Sequence, residues 1–255
     1  MTYVRARVRE LLRRYDRQIV YLPPGTVTGA DLVHDLRVLV PADGPTCLDV
    51  GANEGQTIAL FQRALRNPYI HSFEPSRKTF QLLERGQFGD RVSLHNYALG
   101  ERLSRRELIR YASSDLSSFL ALDAHHENRF REIPVDSTEM VEVRTVDSFV
   151  LDNGLTAIDV LKVDTQGTDL NVLRGAQDAL QSGLVRNVLV ELNFVRMYEG
   201  QNAVLDILQF LGERGIHLVD FYEKVYQANT LAWCTALFSR RDIHGAPASP
   251  ADNPR

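Results

Sequence analysis

Cys47-Leu48-Asp49-Val50-Gly51-Ala52-Asn53-Glu54-Gly55-Gln56 reads as a short apolar strand, then an acid, then a glycine-bearing turn. Such a turn lets the backbone come close to a ligand, and a helix that follows it points free N–H groups at the same place. About twenty residues further on, a second strand, Tyr69-Ile70-His71-Ser72-Phe73, ends in Glu74 and Pro75. A carboxylate there in an α/β nucleotide-binding unit accepts hydrogen bonds from the hydroxyls of a ribose. Turn and acid together predict a nucleoside-cofactor site.

The dinucleotide fingerprint G-x-G-x-x-G uses its second glycine to admit a pyrophosphate. Asn53 stands at that position, and Thr57-Ile58 falls where the third glycine belongs. Glu54 adds a negative charge beside the phosphate site. A zwitterionic amino-acid tail tolerates that charge better, and Asp49 is placed to meet its ammonium directly or through water. The reading therefore favours S-adenosylmethionine over NAD. A turn that merely packs a helix on a sheet is the bland alternative, weakened once Glu74 is counted.

The 255 residues suffice for one large domain, and 44% hydrophobic with 24% charged residues is ordinary for a soluble enzyme. A net charge of −4 argues against a protein built mainly to hold nucleic acid. Cys47 and Cys234 each sit in an apolar run, which predicts neither a disulfide framework nor a cysteine metal site. No run is long enough to span a membrane and the N-terminus lacks a signal-peptide core, so a cytoplasmic protein is expected.

Val4, Val8, Leu11, Leu12, Tyr15 and Ile19 share one helical face, with arginines over the rest. Residues 1–45 therefore read as a helical extension whose basic amphipathic helix docks on its own domain, touches an anionic partner or membrane surface, or serves a homodimer interface. From Thr46 the pattern alternates. Strands are expected at 46–50, 70–73, 92–97, 160–163, 188–192, 217–221 and 231–238. Helices are expected at 56–66, 77–85, 145–151, 169–180 and 203–214, with Ala98-Leu99-Gly100 as a turn. Such alternation predicts an α/β, doubly wound, mostly parallel sheet covered on both faces, with an antiparallel hairpin at its edge. Short strands at 107–109 and 141–144 flank an irregular segment, 112–138, the expected lid or substrate loop. The domain is placed at 46–241, and residues 242–255 read as a disordered tail.

Ligands of open parallel sheets bind beyond the carboxyl ends of the strands. The polar residues there are Asp49, Glu74, Asn96 or Tyr97, Asp164 and Glu191, and Asn193 shares the face of Glu191. Asp169 is either functional or simply the acid favoured at a helix start. His125 and His126, in the presumed lid, are a competing base.

Asp49 to Gly55, FEPS, the SSF stretch, TVDSF and LKVDTQGTDLNVLRGA occur in the order in which they stand in the FkbM family of methyltransferases, which this chain resembles over about residues 46–240. The resemblance implies a class I, Rossmann-like methyltransferase fold with a seven-stranded sheet. It also implies O-methylation of a hydroxyl on a sugar, glycoside or polyketide-like metabolite. Gly51, Asn53 and Gly55 would line the cofactor, Glu74 would hold its ribose, and Ser117 and Ser118 would close over it. With the neighbouring Asp49, Ala52, Pro75, Asn96 and Ala98, these make up the expected cofactor site. Thr168-Asp169 departs from the family pattern, where a small residue and Glu are usual.

An aliphatic hydroxyl needs help in losing its proton. Asp164 and Glu191 are expected to serve as base and orienting acid, or to share Mg²⁺ with Asn193 as a further oxygen ligand. The expected partner is a small-molecule acceptor. A nucleic-acid or protein methyltransferase, an NAD-dependent oxidoreductase, and a non-catalytic scaffold of the same fold are the competing readings.

Overall fold

The computed structural model describes residues 25–125 and 128–240. The N-terminal helix read through Ile19, the C-terminal tail and His126 lie outside these residues.

The strand that opens the sequence reading is β1 (Thr46–Val50), four of its five residues buried. Its neighbours β2 (Tyr69–Phe73), β3 (Val92–His95), β7 (Ile158–Val163) and β8 (Val185–Asn193) continue a parallel array. Two long strands, β9 (Ile216–Gln227) and β10 (Thr230–Arg240), complete a sheet of order β3-β2-β1-β7-β8-β10-β9, with β10 antiparallel to both neighbours. The expected edge hairpin is therefore present. Its two connecting residues, Ala228 and Asn229, both have positive φ (46° and 62°), the geometry that suits strand twist in a two-residue hairpin loop.

Helices α1 (Leu32–Leu39), α2 (Gln56–Ala64) and α3 (Arg77–Leu83) send Leu36, Ile58, Phe61 and Leu83 into one core. Helices α4 (Val146–Asn153), α5 (Asp169–Arg174), α6 (Gln177–Gln181) and α7 (Val204–Gly212) bury Phe149, Leu170, Leu173, Leu180, Ile207 and Leu211 in the other. The sheet is thus covered on both faces, which explains why its central strands are nearly continuously apolar.

Three expectations change in the folded chain. Ala98-Leu99 is not a turn but β4 (Ala98–Leu99), paired with β6 (Val135–Arg144) in a second sheet of order β4-β6-β5. Its third member, β5 (Ser104–Tyr111), and β6 are both much longer than the short strands expected, because each completes the other's antiparallel ladder. The single helix expected over 169–180 is two, α5 and α6, broken at Gly175-Ala176. A Cβ at Gly175 would collide with the carbonyl oxygen of Gly100, so the backbones of two distant segments meet at the break.

The chain preceding α1 is tied down by a buried acid. Asp35 is fully enclosed and accepts hydrogen bonds from Thr28 N (2.7 Å), Gly29 N (2.8 Å) and the Tyr222 hydroxyl (2.6 Å). Burial works to raise its pKa, but the bonds from Tyr222, Thr28 and Gly29 prevail and hold it below the usual carboxylate value. Asp35→Ala orphans four donors, the Thr28 hydroxyl (3.0 Å) being the fourth, and should cost about 2 kcal/mol. The measurement is the urea midpoint, with amide exchange at Thr28 and Gly29 as the local readout. A depressed folded pKa stabilises above the unfolded value of 3.8 and is lost as pH falls below it. The part of the wild-type advantage that comes from the ionised carboxylate should therefore be lost in strong acid.

Candidate active site

Between β1 and β7 the order of strands reverses, because α2 carries the chain from β1 to β2 on one side while β7 returns on the other. A crevice opens at such a point beyond the carboxyl ends of the strands. A cavity lies in this crevice. Its walls come from the glycine turn, the end of β2, β4, β5, the 114–119 segment and the loop after β7.

The two turn glycines do different jobs. Gly51 (φ 83°) lines the cavity, and a Cβ there would collide with the Asp164 carbonyl, so β1 and β7 can converge only with glycine. Gly55 (φ 94°) begins α2 and faces Phe88, which a Cβ would meet at 2.7 Å; it does not line the cavity. Asn53 takes a left-handed conformation (φ 45°) that asparagine tolerates better than most residues. Its N–H donates to Glu74 Oε2 (3.0 Å), while Ser76 N–H donates to Oε1 (2.8 Å). The acid is thereby held rigidly at the cavity wall. Burial pushes its pKa up to about 7, against the lowering effect of those two bonds.

Pro75, Ala98, Ser117 and Ser118 also line the cavity, whereas Ala52 and Asn96 do not. Asn96 instead donates to the carbonyls of Glu74 (2.9 Å) and Pro75 (3.2 Å), pinning the end of β2. Asp49 is fully buried beneath the floor. It faces Lys162 of β7 across the register and pairs with its ammonium at 3.2 Å. Lys162 also lies 3.7 Å from Asp164 and donates to the Gly51 carbonyl at 2.8 Å. Burial opposes its charge, but Asp49 and then Asp164 hold its pKa above the ordinary value.

Asp164 and Glu191 do come together, through a residue not singled out in the sequence. The Gln166 amide donates to Asp164 Oδ1 (2.8 Å) and Glu191 Oε2 (3.2 Å), and its oxygen accepts from the Tyr198 hydroxyl (2.8 Å). Asp164 lines the cavity and Glu191 lies behind it. Burial, with the nearby charges of Asp164 and Asp169, pushes the Glu191 pKa well up. Asp169 gathers the N–H groups of Thr165 (2.8 Å) and Gly167 (3.2 Å), which is the work of a turn-holder. Burial, aided by Asp164, pushes its pKa up to about 6. His125 lies away from the cavity lining, its N–H on Asp123 Oδ1.

The grouping of Asp164, Glu191 and Asn193 does not fit Mg²⁺. A hard cation needs free oxygen ligands. Here Lys162 and the amides of Gln166 and Asn193 already crowd the two carboxylates, Asn193 donating to Glu191 at 3.2 Å. Among the described residues, no group of three His, Cys, Asp or Glu side chains is placed to hold a metal ion.

An adenosyl cofactor with an amino-acid tail does fit the cavity. The Asn53 Oδ1 and Ser117 Oγ atoms are buried at its wall without protein partners. Glu74, Asp115 and Asp164 line it, and no Lys or Arg does so among the described residues. A pyrophosphate would be repelled there, while a sulfonium and an ammonium would be welcomed.

Parallel strands with a penultimate antiparallel insertion and a glycine turn at the switch point define the class I methyltransferase fold. Residues 49–218 match the methyltransferase FkbM domain, and the chain belongs to that family. It is similar to 2-O-methyltransferase NoeI of Sinorhizobium fredii, 27% identical over 180 residues that span 67% of this chain and 73% of that one. Methyltransferase 1 of Beauveria bassiana is 27% identical over 165 residues, 59% of this chain and 65% of the relative. The crystal structure of methyltransferase FkbM from Methylobacillus flagellatus superposes with a TM-score of 0.51 at 17% identity. That alignment covers 86% of this chain and 46% of the other, a likeness of fold.

Proposed function

We propose that this methyltransferase uses S-adenosylmethionine to methylate a hydroxyl of a sugar, glycoside or polyketide-like small molecule. The observation that carries the cofactor assignment is the rigidly held Glu74 in a cavity walled by acids and by no base among the described residues. The 2-O-methyltransferase named among the relatives supports oxygen as the acceptor atom. When bound, S-adenosylmethionine supplies an electrophilic methyl group on a sulfonium.

The residues of this chain then have distinct roles. Glu74 takes the ribose hydroxyls, and Asn53 Oδ1 and Ser117 Oγ offer further polar contacts. Asp164, at the cavity wall, would take the proton from the acceptor hydroxyl as the methyl group passes from sulfur to that oxygen. Glu191 orients the site from behind through the shared Gln166 amide. Alignment supplies the remainder of the acceleration.

Calorimetric titration with S-adenosylmethionine, S-adenosylhomocysteine and NAD tests the cofactor; NAD binding, or no adenosyl binding, rejects the reading. Turnover is then sought with free sugars, methyl glycosides and hydroxylated polyketides. Asp164→Asn should lower kcat about 100-fold, at the low end of general-base effects, with S-adenosylhomocysteine affinity within threefold of wild type. Unchanged kcat in both Asp164→Ala and Glu191→Ala would reject the assignment of these acids.

A further inference from the structure

Gln166 is a half-buried residue with φ 54°, left-handed without being glycine. Non-glycine residues hold that conformation only when their surroundings require it, and such positions concentrate at working sites. Every hydrogen-bonding valence of its side-chain amide but one acceptor lone pair is taken. Both N–H bonds go to the Asp164 and Glu191 carboxylates, and Oε1 accepts from Tyr198. Its main-chain oxygen is held by Ser118 Oγ at 2.6 Å.

Tyr198 makes the arrangement sensitive to the other wall. Its hydroxyl has one hydrogen and two acceptors, Gln166 Oε1 at 2.8 Å and the Leu116 carbonyl at 3.1 Å. Leu116 belongs to the short 3₁₀ turn Ser114–Leu116, whose Ser114 and Asp115 line the cavity together with Ser117 and Ser118. The turn at the cavity wall is thus one hydrogen bond from Tyr198 and, through its neighbour Ser118, one from the Gln166 backbone, and Gln166 itself lines the cavity. The carboxylate pair lies at the far end of the same amide.

We propose that Gln166, with Tyr198, is a positioning element that transmits occupancy of the cofactor cavity to the Asp164–Glu191 pair. This rests on the adenosyl reading of the cavity given above and deepens it. Alignment of the base is thereby coupled to the presence of the cofactor.

Hydrogen exchange with and without S-adenosylhomocysteine tests the coupling, because it needs no acceptor. In the wild type, the ligand should slow exchange at least fivefold both in residues 114–120 and in the 194–201 loop that carries Tyr198. At saturating ligand, Gln166→Met should keep the protection of 114–120 but lose that of 194–201. Tyr198→Phe removes only a hydroxyl and should give the same loss, so it carries the test if Gln166→Met folds poorly. Gln166→Glu should lose coupling at pH 8.5 and regain part of it at pH 6, where its protonated carboxyl can donate to one of the two acids. A merely structural glutamine would not produce that pH-dependent rescue. Full transmission in Gln166→Met and Tyr198→Phe overturns the proposal, as does loss of protection in both segments together. A wild type that binds no S-adenosylhomocysteine defeats the cofactor reading itself, a separate result.

Discussion

Glu74→Ala should abolish useful cofactor binding, weakening S-adenosylhomocysteine by two to four orders of magnitude in calorimetric titration. The carboxylate is held by the N–H groups of Asn53 and Ser76, so its free lone pairs are aimed rather than mobile. Two ribose hydroxyls donating to a charged acceptor are worth roughly 1.5–3 kcal/mol each. The pH dependence gives a sharper check. Burial raises the Glu74 pKa from 4.5 to about 7, so the empty site holds a proton below that pH. Hydroxyl donors prefer the ionised form, and binding then expels the proton. Affinity should therefore rise with pH up to and through about 7, by at most tenfold per pH unit, and level off above it. In Glu74→Gln the affinity should be low and flat across the same window. A pH-independent wild type, or a Glu74→Gln variant that retains the slope, assigns the titration to another group.

Lys162→Met should destabilise the fold by about 3–5 kcal/mol, the usual cost of removing one partner from a buried ion pair. Asp49 is fully enclosed and faces Lys162 at 3.2 Å. Without the ammonium, Asp49 is left charged and buried beneath the cavity floor. The double variant Asp49→Asn/Lys162→Met removes the stranded charge and should recover at least half of the loss in urea denaturation. Failure to recover would mean that Lys162 acts mainly through its other bonds, to Asp164 and the Gly51 carbonyl. Because those bonds reach the cavity wall, the single variant should also weaken S-adenosylhomocysteine binding at temperatures where it remains folded.

Much of the frame could be read directly. Alternating apolar runs, the Gly51–Gly55 turn and the acids at the ends of β2, β7 and β8 are local signals, and the structure puts Glu74 and Asp164 on the cavity wall. Glu191 meets Asp164 as strand-end logic suggests, because β7 and β8 are parallel neighbours. Lys162 left a faint signal: it is one of three lysines in the chain and, with Asp159, one of two charged residues in β7. Tyr198 left none, since nothing near it indicates that its hydroxyl reaches a residue 32 positions away.

The misread elements share one cause. β4 exists because Ala98 and Leu99 pair with Val143 and Arg144, a partnership no window around residue 98 contains. The break between α5 and α6 depends on the approach of Gly100 to Gly175. Asp49 was expected near the cofactor ammonium, yet its side chain points beneath the floor to Lys162.

By itself, the sequence determined the doubly wound class, the position of the crevice and two of the acids that line it, Glu74 and Asp164, because periodicity and turn chemistry act over a few residues. Only the tertiary structure decided what those acids do. Their charge, orientation and partners are set by burial and by groups brought within 2.8–3.7 Å from strands and loops far apart in the chain. Electrostatic and hydrogen-bond energies depend on that distance and enclosure, and neither is written into local sequence.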